Sequence, residues 1–293
     1  MRFFLGRRDH LDATRRLFEA RSYSRLELLP CNATIGAEVR GVQLANVDDE
    51  TFREIEQAFY DYKVLFFRDQ ALETSEHVAF ARRFGELEEH PFLPPSHSDE
   101  ALVRFEKSDE VVGVENQWHT DVSWRERPAL GSMLRAIEVP RYGGDTLFAD
   151  MVAAYEGLPE DLREQIDGLE AVHDFTFSFG RALDEETRKK RQQEFPAVAH
   201  PLIRTHPVTG RKAIYACKIF TSHIVGLPED ESRALLERLY DEATVPEYQC
   251  RFHWEAGSVA LWDNRSVQHY ASNDYWPQRR VMERAAIVGE RPL

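Results

Sequence analysis

The sequence predicts a mainly β fold with flanking helices, a β-barrel or jelly roll decorated by helices. Three observations lead there. From residue 101 onward short strand-like pieces dominate: "ALVRFEK", "GSMLRAIEV", "DTLFAD", "PLIRTHP", "KAIYAC", "QCRFHWE", "SVALWD" and "RVMERAAIVGE". Helical patterns interrupt these pieces at 151–168 and 229–243, with a charged segment at 183–194. No linker or repeat divides the 293 residues, and a hydrophobic share of 42% is enough for one sizeable core. The expected organisation is a basic, helical N-terminal extension over 1–25 and one domain over 26–293.

The extension holds seven arginines and three acids. It lacks the apolar core of a secretory signal, and its acids argue against a mitochondrial presequence, so a short surface helix is expected. "RLELLPCNATIGAEVRGVQL" (25–44) alternates, with glycines at turn positions, and predicts early strands. "DDETFREIEQAFYDYK" (48–63) places Phe52, Ile55, Phe59 and Tyr62 at helical spacing after an Asp-rich start. "VLFFR" (64–68) is a buried-strand run. "TSEHVAFARRFGEL" (74–87) predicts a second helix, with Thr74 as N-cap and Gly85 near its stop. A Pro-rich loop, "EHPFLPPSHSDE", follows. "HPVTGRKAIY" and "HWEAGSVALW" read as hairpins turning at Thr209-Gly210 and Ala256-Gly257.

A formal net charge of −14 argues against nucleic acid as a partner, because phosphate binding needs a basic face. A small anion remains compatible, since a local arginine cluster can hold one inside an acidic protein. Cys31, Cys217 and Cys250 are scattered and odd in number, which speaks against a disulfide framework or zinc ribbon and for a reducing, cytoplasmic setting. Three small buried thiols are the expectation. No apolar run reaches the roughly 18–20 residues of a membrane span. Nothing in the sequence fixes an oligomeric state, and a homo-oligomer is compatible with it.

"WHTDVSW" (118–124) sets an imidazole and a carboxylate two residues apart. On a strand, residues i and i+2 share a face, so His119 and Asp121 would both point at one ion. A remote histidine would complete a two-His-one-carboxylate face, which leaves positions open on an octahedral Fe(II). The pair alone is weak, because His10/Asp12, His97/Asp99 and His253/Glu255 repeat the spacing and such pairs are commonly surface features. Context separates them. His10 lies in the extension, His97 in a Pro/Ser loop, and His253 only 16 residues before His269. His119 precedes His269 by 150 residues, which leaves room for several strands to wrap and return.

Arg279, Arg280 and Arg284 follow. If "RRVMERAAIVG" is a strand, Arg280 and Arg284 share a face. Two arginines facing a barrel interior are costly unless each meets an anion, and a guanidinium grips a carboxylate or sulfonate through paired donors. An arginine-rich outer strand paired with surface acids is the competing reading.

"NQWHTDVSW", "GGDTLFADM", "HPLIRTHPVTGRKAIY" and "ALWDNRSVQHYASNDYWPQRRVMERAAIVGE" closely resemble the taurine dioxygenase family of Fe(II)/2-oxoglutarate-dependent dioxygenases, from about residue 27 to the C-terminus. The resemblance implies a double-stranded β-helix (jelly roll) with flanking helices. It implies iron ligation by His119, Asp121 and His269, and a grip on the distal carboxylate of 2-oxoglutarate by Arg280 and Thr146. His90, Arg284 and the backbone amide of Val122 align with the groups that hold the substrate anion, and Phe179 and Phe220 with aromatic wall positions. Leu93 stands where taurine dioxygenase has a tyrosine, and Glu115 where it has an amine-contacting asparagine, with Asn116 adjacent. The anion end of the substrate thus looks retained and the amine end rebuilt. A sulfonate or sulfate ester with a different, more apolar tail competes with taurine itself, and Glu115 is expected to pair with a cation.

The implied reaction consumes 2-oxoglutarate and O2, hydroxylates the carbon next to the anionic group, and releases an aldehyde with sulfite or sulfate. A protonated His90 would weaken substrate binding as pH rises past its pKa. The alternatives are a dioxygenase of the same family acting on a carboxylate such as a phenoxyacetate, a jelly-roll metal-binding protein without turnover, and a zinc hydrolase using the same ligands. The Arg280 and Thr146 match favours a dioxygenase, because a hydrolase has no use for a 2-oxoglutarate grip.

Overall fold

The computed structural model describes residues 9–93, 95, 96, 99, 101–111, 113 and 115–293. In chain order the strands are β1 (Glu27–Pro30), β2 (Ala37–Arg40), β3 (Val64–Phe67), β4 (Leu102–Lys107), β5 (Ala129–Glu138), β6 (Thr146–Asp150), β7 (Glu170–His173) and β8 (Val198–Pro201). They continue with β9 (Ile203–Thr205), β10 (Lys212–Ile214), β11 (Thr221–Ile224), β12 (Gln249–Phe252), β13 (Val259–Asp263), β14 (Val267–Ala271) and β15 (Arg280–Val288). The α-helices are α1 (Leu11–Ala20), α2 (Asp49–Tyr62), α3 (Thr74–Ala81), α4 (Met151–Glu156), α5 (Glu160–Ile166), α6 (Glu185–Glu194) and α7 (Glu229–Tyr240).

A seven-stranded sheet runs β1-β2-β3-β13-β5-β15-β4, and a three-stranded sheet, β12-β6-β14, faces it. Two smaller sheets, β11-β7-β8 and β10-β9, lie beside them. Period-two alternation explains how the large sheet is covered on both faces. In β3, Leu65 and Phe67 join Ile55, Phe59 and Val78 of α2 and α3, while Val64 and Phe66 turn to the opposite core. β13 repeats the division, with Val259 and Leu261 on the helix side and Ala260 and Trp262 on the other. Between the two sheets Phe66 stacks on Phe252 with ring centroids 4.1 Å apart, and Phe148 meets both Phe66 and Trp262. Each such ring contributes roughly 1.5–3 kcal/mol by leaving water. Lys63 closes one end, reaching Asp150 at 3.0 Å and the Thr34 carbonyl at 2.8 Å from full burial.

Local chemistry sets the helix ends. Asp48 caps α2 by accepting from the Thr51 amide, and Lys63 ends it at φ 66°. The cap of α3 is Glu73, in a reciprocal box with Glu76, and not Thr74 as the sequence suggested. Thr74 is instead the first helical residue, and its hydroxyl bonds the buried Glu283. The helical stretch expected at 151–168 is broken into α4 and α5 around Gly157-Leu158-Pro159. The Thr209-Gly210 hairpin is present, joining β9 to β10. The one expected at Ala256-Gly257 is not: β12 pairs with β6 while β13 pairs with β3 and β5, so the turn crosses between sheets. Gly257 sits at φ 79° in either case, and a local turn signal does not say which strands then pair.

Within the N-terminal stretch, α1 is helical and docks on the body. Phe18 stacks on Tyr62 at 4.2 Å, and Arg211 donates to Thr14. The expectation for residues 1–8, and that for His97, lie outside the described residues. Cys217 and Cys250 are buried, but Cys31 is exposed, contrary to the expectation for all three. No helix among the described residues is long and apolar enough to cross a membrane.

Candidate active site

The approach of His119 to His269 is a backbone event first. The two residues form an isolated antiparallel bridge with both amide bonds made, His119 N to His269 O at 3.0 Å and His269 N to His119 O at 2.7 Å. His269 is thereby held in β14, and His119 is laid beside it as a strand edge. Asp121 does not arrive by strand alternation, as the sequence suggested. The chain leaves the bridge at once into a turn, and Val122 adopts φ 46°. That conformation, costly for a β-branched residue, turns the chain just after Asp121, whose carboxylate still lies with the two histidines.

The result is a cluster of donor atoms from His119, Asp121 and His269 lying within 4.8 Å of one another, all buried. His119 Nδ1 donates to the Gln117 carbonyl at 2.7 Å, which leaves Nε2 with its lone pair free to ligate. His269 Nε2 lies 3.9 Å from Asp121 Oδ1. Burial keeps both imidazoles neutral, the form that ligates. Burial would raise the Asp121 carboxyl, but Arg284 and then the two histidines outweigh it and hold it well below the usual carboxylate range. Two neutral imidazoles and one carboxylate suit Fe(II), a ligand set that fills only part of an octahedral shell.

Sequence reading missed the groups that hold Asp121. Ser132 donates to Asp121 Oδ2 at 2.7 Å, Asn264 donates to Ser132, and Asn264 Oδ1 accepts from the Asp121 amide and the Trp262 indole. The signal was the run Asp263-Asn264-Arg265-Ser266, polar yet fully buried between two strands.

β15 brings both arginines inward. Arg280, Met282, Arg284 and Ala286 occupy one face, and each is buried. Arg280 has Nε and Nη2 buried without a partner among the described residues, and burial pushes its pKa down. Its guanidinium lies 6.0 Å from the ring of Trp254, whose indole donates to Thr146 Oγ1 at 2.9 Å. A buried cation with orphaned donors beside a hydroxyl fits a carboxylate of a bound acid. Arg279, by contrast, is exposed and satisfied by Glu106 and Glu138.

Arg284 has a partner that was not anticipated: Nη1 donates to Asp121 Oδ1 at 2.6 Å, while Nε is buried without one. His90 also departs from expectation. Its Nδ1 accepts from the Phe92 and Leu93 amides at 3.2 and 3.1 Å, so the proton is on Nε2, which is buried without a partner among the described residues. Burial, reinforced by Arg284, pushes its pKa down to about 3. His90 is therefore a neutral donor in this structure and not the protonated group expected from the sequence.

Phe179 packs 5.1 Å from His90 and 6.1 Å from Phe220, and Phe220 lies 6.5 Å from His119, so the two aromatic positions span the gap between iron cluster and His90. A cavity of about 140 Å³ is lined by Glu89, His90, Leu93, Pro95 and Val103. Glu115 pairs with Lys107 at 2.9 Å. Lys107 is the direct cross-strand neighbour of Arg280, so this pair stands at the Arg280 end of the site. Asn116 is exposed and is not drawn into the cluster.

The chain matches the family described as taurine catabolism dioxygenase TauD, TfdA over residues 26–286. It is 36% identical over 277 residues to an alpha-ketoglutarate-dependent sulfate ester dioxygenase of Pseudomonas putida, covering 92% of this chain and 91% of the relative. It is 35% identical to an alkylsulfatase of Acinetobacter baylyi, covering 90% and 86%. It is also 35% identical to a (S)-phenoxypropionate/alpha-ketoglutarate-dioxygenase of Sphingobium herbicidovorans, covering 90% and 95%. Among solved structures, a putative alpha-ketoglutarate-dependent taurine dioxygenase from Burkholderia xenovorans superposes with a TM-score of 0.80 at 37% identity, covering 92% of this chain and 94% of that one. The chain belongs to the TauD, TfdA dioxygenase family and is a 2-oxoglutarate-dependent dioxygenase that uses Fe(II) and O2.

Proposed function

We propose that this enzyme hydroxylates the carbon next to the anionic group of a small sulfate ester or organosulfonate, releasing an aldehyde with sulfate or sulfite. The frame is read as a jelly roll of one domain over 26–293, with 1–25 an extension. The observation that carries the reading is β15: two buried guanidiniums four residues apart, each with donors unsatisfied, on the face that meets the His119–Asp121–His269 cluster. Two cations with open donors call for two anions, one on the cosubstrate and one on the substrate. Relatives named for sulfate esters, alkyl sulfates and sulfonates support that substrate class.

His119, Asp121 and His269 hold iron in this reading, and the iron with 2-oxoglutarate supplies an oxidant able to remove hydrogen from an unactivated C–H bond. The chain's own contribution is placement. Arg280, with Thr146 beside it, takes the distal carboxylate of 2-oxoglutarate. The Arg284 Nε, the His90 Nε2–H and the Val122 amide take the substrate anion, so that its neighbouring carbon is the one presented to the metal. Phe179 and Phe220 exclude water from that gap. The cavity of about 140 Å³ with Leu93, Pro95 and Val103 on its wall takes an apolar tail. A cavity of about this size holds roughly one benzene. Glu115 is engaged by Lys107 and does not serve an amine, which separates this pocket from one for taurine.

The test is a substrate panel of taurine, hexanesulfonate, hexyl sulfate and a phenoxyacetate, scored by substrate-dependent succinate formation. Hexyl sulfate or hexanesulfonate is expected to couple best. Coupling only to the phenoxyacetate would replace the substrate class, and coupling to none would sink it.

A further inference from the structure

The Asp121 carboxylate has two oxygens with different duties. Oδ2 accepts from Ser132 at 2.7 Å. Oδ1 is the oxygen near His269 Nε2, and it is also the atom that Arg284 Nη1 bonds at 2.6 Å. Arg284 is 7% exposed, its guanidinium lies 5.2 Å over Phe105, and its Nε has no partner among the described residues. Arg284 therefore has one edge on the carboxylate of the metal cluster and another edge open.

We infer that Arg284 is a bridge between the two ligands, through which an anion on its open edge and a metal on Asp121 raise each other's affinity. The inference rests on the metal and anion roles proposed above. Its physical basis is charge. A guanidinium bonded to Oδ1 draws electron density from the atom that must donate to a dication, and places a positive charge beside that dication in a poorly screened interior. An anion on the far edge neutralises this charge. What the anion does for the metal, the metal does for the anion, by the same factor. Arg284 would thus bind substrate and also report its arrival to the metal.

The experiment measures Mn(II) affinity, which needs no turnover, by the free Mn(II) signal in the intact protein with and without hexyl sulfate. In the natural protein the Mn(II) Kd is expected to fall about fivefold or more at saturating hexyl sulfate, within the usual range of coupling. Arg284→Met is expected to bind Mn(II) about fivefold or more tighter than the natural protein without hexyl sulfate, and to gain nothing from it. A merely structural arginine would give the opposite sign, looser Mn(II) on removal, and that result overturns the inference. So does an unchanged Mn(II) Kd in the natural protein while calorimetry shows hexyl sulfate bound. If Arg284→Met fails to fold, Arg284→Lys keeps the cation but cannot hold two anions in one plane. Its anion-dependent gain is then expected to drop below twofold, and a full gain refutes the bridge. Two further outcomes are separable. Mn(II) binding that survives His269→Ala refutes the metal cluster itself. Hexyl sulfate that fails to bind refutes the substrate class, and the same Mn(II) titration with inorganic sulfate then decides the bridge, an unchanged Mn(II) Kd at saturating sulfate refuting it.

Discussion

Two buried arginines of this protein live by opposite rules. Arg265 sits 2% exposed and grips Asp263 with both Nε and Nη2, at 2.8 and 2.7 Å. His206 Nε2 lies 2.8 Å from the same carboxylate, and the burial cost of Arg265 is outweighed by Asp263, so its pKa is raised. Arg280 is equally enclosed, has two nitrogens without a partner among the described residues, and its pKa is pushed down by burial. Both lie in stretches with the same strand–polar composition. The difference is who completes the ion pair: the fold itself at Arg265, and at Arg280, in the function proposed above, the cosubstrate carboxylate. Unmet hydrogen-bonding capacity is what Arg280 has and Arg265 lacks, although buried orphaned atoms such as Arg204 Nε and Nη1 show that it does not by itself mark a functional site.

The sharpest way to break this comparison removes a group from each side. Asp121→Ala or His269→Ala is expected to lower turnover by about 10³-fold or more, because the metal loses one of three anchors. His269→Ala should barely lower the denaturation midpoint, whereas Asp121→Ala strips the buried Arg284 of its carboxylate and should cost about 3–5 kcal/mol; a variant that keeps its turnover defeats the site assignment. Next in size, Arg280→Met should raise the KM for 2-oxoglutarate about 100-fold, the loss of a charge-assisted paired contact. It should leave stability equal or higher, since an unpaired buried cation is removed. Arg265→Met should do the reverse, costing about 3–5 kcal/mol in urea unfolding with an unchanged KM, because Asp263 would be left buried and uncompensated. Equal stability losses in the two variants would abolish the distinction.

A smaller effect concerns pH. Burial pushes His77 down to about 4 and His90 and His173 down to about 3, with Arg135, Arg284 and His200 respectively adding to it. The unfolded chain takes up protons at these histidines near pH 6.5 and the native chain does not until much lower. Stability is therefore full above about pH 6.5 and declines as pH falls toward 4, by at most about 1.4 kcal/mol per histidine per pH unit. Urea midpoints measured from pH 7 to 5 should fall steadily, and a flat series would mean these rings are hydrated. The smallest expected effect is none: the KM for hexyl sulfate stays constant from pH 6 to 9, since His90 is already neutral throughout. A rise in KM across pH 6 to 7 would restore a charged His90.

Much of the frame was legible because it rests on local periodicity. The α2 spacing, the apolar run of β3 and the shared face of Arg280 and Arg284 follow from periods of 3.6 and 2. Where partners are distant in sequence, the pattern failed. The Ala256-Gly257 turn carries ordinary hairpin chemistry, yet only pairing with β3, β5 and β6 decides that it is a corner. β7, β8 and β11 are each four residues long, too short to show a period. The His119–Asp121–His269 cluster was found by chain separation and resemblance, and His119 and Asp121 do share one cluster, although Asp121 lies in a turn and not on a strand. The Arg284–Asp121 contact joins residues 163 positions apart and left no trace in spacing.

β15 carries one more consequence. Its residues rise about 3.4 Å each, so Arg280 and Arg284 stand roughly 14 Å apart along a stiff, doubly flanked strand. The strand is a ruler graduated by the backbone, and under the proposed function it would fix how far the acid end of the cosubstrate lies from the acid end of the substrate. Evolving this enzyme toward longer or shorter molecules must therefore work at the free end, around Leu93 and Val103. A single inserted residue between the arginines would turn one of them toward the α3 side and erase the scale altogether.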